Sequence, residues 1–64
     1  LSTDHLDLAA YYNNMATCLE KLGKYADALM CYEKMLHIQK LKLSSEHPRI
    51  AVSLNNILRV QKFL

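Results

Sequence analysis

His5, His37, His47, Cys18 and Cys31 are the side chains of this 64-residue sequence best suited to holding a metal or attacking a substrate. Their spacing serves neither purpose. No Cys-x-x-Cys pair and no Cys–His ligand spacing occurs, so the usual zinc-binding set is missing. Cys31 and His37 stand six residues apart, which places them on different faces of a helix and denies a Cys–His nucleophile. A single glycine, Gly23, leaves no phosphate-cradling loop. Met15, Met30 and Met35 recur at helical spacing and read as core fillers. We expect neither an enzyme nor a cofactor.

Asparagine is the more informative residue. Asn13-Asn14 and Asn55-Asn56 are adjacent pairs separated by 42 residues. Asparagine is a poor residue for a helix interior, and local rules are broken most often where function requires it. Its amide also offers a peptide bond both a donor and an acceptor. The shift of 42 extends well beyond these pairs. It lays residues 43–64 over residues 1–22 with seven identities, among them Leu1/Leu43, His5/His47, Ala9/Ala51 and Leu22/Leu64. His5 and His47 are therefore equivalent residues of successive units. Stacked helices sit roughly 10 Å apart, too far for both to hold one metal at about 2 Å, and a helix-start role is expected instead. The chain reads as about one and a half copies of one unit, with residues 1–5 ending a preceding one. Leu1 in place of Met fits a length cut from something longer.

Three helices must position these residues. The first is predicted from about Leu6 to Leu22, with Leu8, Tyr12, Met15, Leu19 and Leu22 on one stripe. Gly23 stops it, being free to take a left-handed conformation. The second runs from about Tyr25 to Leu43, with Tyr25, Ala28, Leu29, Tyr32, Leu36 and Gln39 on its main face. Cys31, Met35 and Ile38 widen its apolar side, so it should touch helices on two sides. Pro48 suits a first helical turn and pushes His47 into a cap-like position. The third helix is predicted to continue to the chain's end, with Ile50, Leu54, Ile57, Leu58 and Leu64 as its stripe. The short break at Gly23-Lys24 makes the first two antiparallel, and a repeated helical hairpin is a solenoid. The expected fold is all-α: residues 6–43 form one hairpin unit, and 44–64 a linker and the first helix of the next.

Composition narrows the function classes. No stretch approaches the 18 apolar residues of a membrane span. The net charge of +2 is too small to imply nucleic acid, though residues 1–39 sum to −2 and residues 40–64 to +4. That imbalance is either a set of solvated helix faces or a modest site for an acidic partner. Two cysteines do not make a disulfide scaffold in so short a chain. As small buried hydrophobes they fit a reducing, cytoplasmic setting.

On a wheel of about 100° per residue, Glu20, Asn13, Thr17, Ala10, Lys21 and Asn14 share one arc of the first helix. Lys62, Asn55, Arg59, Val52, Phe63 and Asn56 share the equivalent arc of the third. The frame around these arcs resembles a tetratricopeptide repeat. Tyr12, Met15-Ala16, Leu19, Ala28 and Tyr32 stand at that family's signature places, with Gly23 and Tyr25 marking the turn. The period of 42, the paired asparagines and the His-Pro helix start look like the longer repeat of kinesin light chains and their relatives. Departures occur: Lys40 stands where the short repeat has a closing proline, Met35 fills a usually small place, and Leu58 and Gln61 replace the equivalents of Ala16 and Leu19.

The resemblance implies an interaction module, an adaptor or scaffold that binds a partner protein's peptide segment in a concave groove. Asn14 and Asn56 would hold the peptide backbone, and Asn13, Thr17, Lys21, Asn55 and Arg59 would line the groove around them. Phe63 could add an apolar contact. The plainer alternative has these amides bonding to a neighbouring helix or facing water. A second reading makes the chain structural. Neighbouring units of the same chain, or further copies of it, would then stack on an apolar side flanked by Tyr11 and Cys18. A helix-turn-helix with Arg49, Arg59 and Lys62 on phosphates is disfavoured by the long second helix and near-neutral charge. No nucleic acid and no membrane is expected as a partner.

Overall fold

The computed structural model describes residues 5–64 as three helices, α1 (His5–Lys21), α2 (Tyr25–Lys42) and α3 (Pro48–Gln61), with no strand among the described residues. The all-α hairpin with a third helix is the architecture expected. The assignment of residues 1–4 to a preceding unit lies outside the described residues, as does any role for the His5 side chain.

Each helix end has a chemical cause. Gly23 sits at φ +78°, and no non-glycine residue among those described has a positive φ. The Lys24 N–H donates to the Leu19 carbonyl and the Gly23 N–H to that of Glu20, both at 2.9 Å. These two bonds satisfy carbonyls that the end of α1 would leave unpaired. The turn Leu22-Gly23-Lys24 then reverses the chain into α2. At the other break, His47 is extended (φ −65°, ψ 135°) and its Nδ1 accepts the Arg49 N–H at 3.1 Å, with Pro48 in the first turn. The cap-like role predicted for His47 is therefore its observed one.

α2 lies between the other two helices and packs against both. Ala28, Cys31, Tyr32, Met35, Ile38 and Gln39 are buried along it, as its two-sided apolar pattern implied. Against α1 it meets Ala9 and Ala16, with Tyr12, Met15 and Leu19 partly buried around them. Ala16 and Ala28 are 0% exposed and belong to the core shared by α1 and α2, where a larger side chain would have to displace packed neighbours. α1 and α3 both run antiparallel to α2, so they are parallel to one another.

Several core expectations need correction. α3 ends at Gln61, where the backbone N–H of Lys62 donates to the Arg59 carbonyl, so it does not run to the chain's end. Its buried stripe is Ile50, Ser53, Ile57 and Val60, which shares only Ile50 and Ile57 with the predicted one. Leu54, Leu58 and Leu64 are exposed, as are Leu8 and Leu22 in and beyond α1. The face of α3 that becomes buried is the one α2 lies against, and Leu54 and Leu58 lie off it. Cys31 is buried and Cys18 exposed, so only one thiol acts as a core residue.

Candidate functional site: the groove between α1 and α3

The two parallel helices flank a groove whose floor is α2. One end is tied shut. Arg59 of α3 grips Glu20 of α1 with two bonds, Nη2 to Oε1 at 2.7 Å and Nε to Oε2 at 3.3 Å. The Tyr32 hydroxyl of α2 donates to the same Glu20 Oε1 at 2.5 Å, and Asn56 Oδ1 accepts from Arg59 Nη1 at 2.8 Å. Three helices thus meet at one carboxylate. The Arg59 hydrogen bond holds the Glu20 carboxyl below its ordinary value, against an opposing effect of burial. Burial pushes the Tyr32 phenol above its ordinary value, and its bond to Glu20 adds to the rise. Two-point contact between a guanidinium and a carboxylate orients both groups as well as neutralising them.

The other end is open. Leu6, Ala10 and Asn13 of α1, Met35 and Gln39 of α2, and Arg49, Val52 and Ser53 of α3 line a cleft of about 300 Å³. Beneath it the Ser53 hydroxyl donates to Gln39 Oε1 at 2.5 Å, and also lies 3.1 Å from the Arg49 carbonyl. Ser53 and Gln39 are the buried polar residues of the described chain, and their mutual bond is what makes burying them tolerable.

The residues predicted from the sequence divide between these regions. Asn13 borders the open cleft. Thr17 is exposed, and its hydroxyl donates to the Asn13 carbonyl at 2.9 Å within α1. Asn56 and Arg59 belong to the tied end. Asn55 borders a separate hollow with Leu58, Gln61 and Lys62, away from its equivalent Asn13. Asn14 and Lys21 are exposed. Phe63 stacks on Tyr25 with ring centroids 4.4 Å apart, a contact within the chain. The helix arcs contain Glu20 but not its pairing, because each arc belongs to one helix. Tyr32, Gln39, Arg49 and Ser53 join the groove without a place in either arc. A glutamine on the main face of α2 is the available signal, since a polar residue on a buried stripe needs a partner.

A family model for the tetratricopeptide repeat matches residues 3–64. The chain belongs to that family, whose repeats are in general non-catalytic protein-interaction modules. No curated protein and no solved structure matches significantly. Among the described residues no group of three or more His, Cys, Asp or Glu gathers as a metal site, and no helix is long and apolar enough to cross a membrane.

Proposed function

We propose that this chain binds an extended segment of a partner protein along the α1–α3 groove, as part of a longer cytoplasmic adaptor or scaffold with a kinesin-light-chain-like repeat. Residues 6–43 are one repeat, 44–64 a linker and the first helix of the next, and 1–5 the end of a preceding unit. The observation carrying this reading is the Glu20–Arg59 tie, which links the polar arc of α1 to that of α3. Asn14 and Asn56 contact the peptide backbone, and Asn13, Thr17, Lys21, Asn55 and Arg59 border it. Peptides selected by display on the intact chain provide the test, with affinities measured for wild type and for Asn14→Ala with Asn56→Ala. An unchanged affinity in the double variant would sink the backbone-contact assignment.

A second reading, stacking between copies, is favoured by one observation. Tyr11 is 55% exposed on α1 and Leu58 59% exposed on α3, and exposed apolar faces promote association. Light scattering over a wide concentration range separates the two readings: a monomer throughout counts against stacking.

A further inference from the structure

We propose that Ser45 is a phosphorylation site, modified by a serine kinase that reads basic residues before its target, and that the folded chain accommodates the phosphate at the start of α3. The proposal is independent of what the groove binds. Ser45 lies in the five-residue break between α2 and α3, and it is exposed, as are Ser44 and Glu46 beside it. The hydroxyls of Thr17 and Ser53, by contrast, are engaged within the helices, donating to the Asn13 carbonyl and to Gln39. Lys42 and Lys40 stand three and five residues before Ser45, with no acidic residue between Lys40 and Ser45. In an extended chain those two positions share one face and lie roughly 10 and 17 Å from the hydroxyl. Two ammonium groups on one side of the target suit a kinase whose cleft carries carboxylates there.

Such an enzyme takes its target extended, and this segment can be drawn out without disturbing the core. No residue from 40 to 49 is buried. α2 ends at Lys42, so its last carbonyls have no partner further along the helix. Besides the last helical turn, straightening the segment breaks the bonds from the Leu43 N–H to the Gln39 carbonyl and from the His47 N–H to that of Ser44. Openings of this local kind are the least costly a fold offers. Residues 17–27, around the turn between α1 and α2, are equally free of buried side chains except that they contain no serine. In the transfer, Ser45 Oγ forms a bond to the γ-phosphorus of ATP while the bond to the ADP oxygen breaks, and the hydroxyl proton passes to the kinase's carboxylate base. The product suits the fold. Ser45 stands two residues before His47, which caps α3, and a phosphate with about two negative charges is favoured near a helix N-terminus. Lys42 and Arg49, both exposed, supply cations on either side of it.

The test incubates the intact chain with magnesium–ATP and, in separate reactions, a kinase selective for basic residues at those two positions, a proline-directed kinase and an acid-directed kinase. Intact mass and fragment spectra should show one phosphoryl group, on Ser45, from the first kinase alone. Ser44→Ala should be modified as fast as wild type, and Ser45→Ala not at all. Lys42→Gln should lower kcat/KM about tenfold, the loss expected for one charged pair. The phosphorylated chain should melt no lower than the unmodified one. No incorporation, transfer to Ser44, equal labelling by the other kinases or an unchanged rate with Lys42→Gln each overturns the assignment of the site. A lowered thermal midpoint overturns the accommodation of the phosphate at the start of α3.

Discussion

α1 and α3 are matched by the 42-residue shift of the sequence, yet they bury different faces. α1 turns Ala9 and Ala16 toward α2, its own hairpin partner, and leaves Tyr11 and Cys18 exposed. The residues 42 positions later reverse this pattern: Ser53 and Val60 are buried against α2, while Ala51 and Leu58 are exposed. α2 therefore meets one face of α1 and, at the matching positions, a different face of α3. A small residue is required only where the hairpin face is closed, which is why Leu58 stands without strain at the place Ala16 fills on α1.

The sharpest way to break the comparison is to excavate the face that α3 alone has closed. Ile57→Ala should cost about 2–4 kcal/mol by urea unfolding, whereas Leu58→Ala, one residue along, should change stability by no more than about 0.5 kcal/mol. Equal costs would show that the two faces do not differ in packing. Placing α3's residue in α1 is the reciprocal test. Ala16→Leu should destabilise by about 1–3 kcal/mol through overpacking, visible as a lowered thermal midpoint.

The helix ends differ as well. α1 stops at a left-handed glycine, whereas α3 stops at Lys62 in ordinary right-handed conformation. Space around Gly23 is open, so Gly23→Ala tests backbone conformation alone and should cost about 1 kcal/mol. The smallest effect belongs to the tie between the helices. Arg59 is about half exposed, and a double-mutant cycle of Glu20→Gln with Arg59→Gln should give about 0.2–1 kcal/mol of coupling, reduced by salt. Its pH dependence has a definite sign. The folded Glu20 carboxyl titrates below its ordinary 4.5, so the unfolded chain binds the proton first. The contribution is present above about 4.5 and is lost as pH falls through the lower folded value. Acid titration of wild type against Glu20→Gln reads it directly.

Much of the fold is legible in the residues. Helix positions, the Gly23 stop, the His47-Pro48 start and the crowding at Ala16 and Ala28 all follow from local rules about backbone freedom and side-chain size. Periodicity does not decide which apolar side of α3 meets α2. Leu54 and Leu58 extend the apolar stripe beyond Ile50 and Ile57, but burial depends on where a neighbouring helix lies. Ser53 escapes such reasoning for the same cause: its hydroxyl is acceptable in the core only because Gln39, fourteen residues earlier, receives it. The Glu20–Arg59 pair spans 39 residues and joins two helices, so no single-helix pattern contains it.

The central position of α2 has a consequence for motion. α1 and α3 both rest on it and meet each other chiefly at one carboxylate, so either outer helix can open while the remaining pair stays closed. α2 has no such freedom, because releasing it abandons both interfaces together. Amide hydrogens in the middle of α2 should accordingly exchange with solvent only through global unfolding, while those of α3 exchange through smaller, more frequent openings. The middle helix sets the lifetime of the fold, and the outer two are free to yield to whatever lies against them.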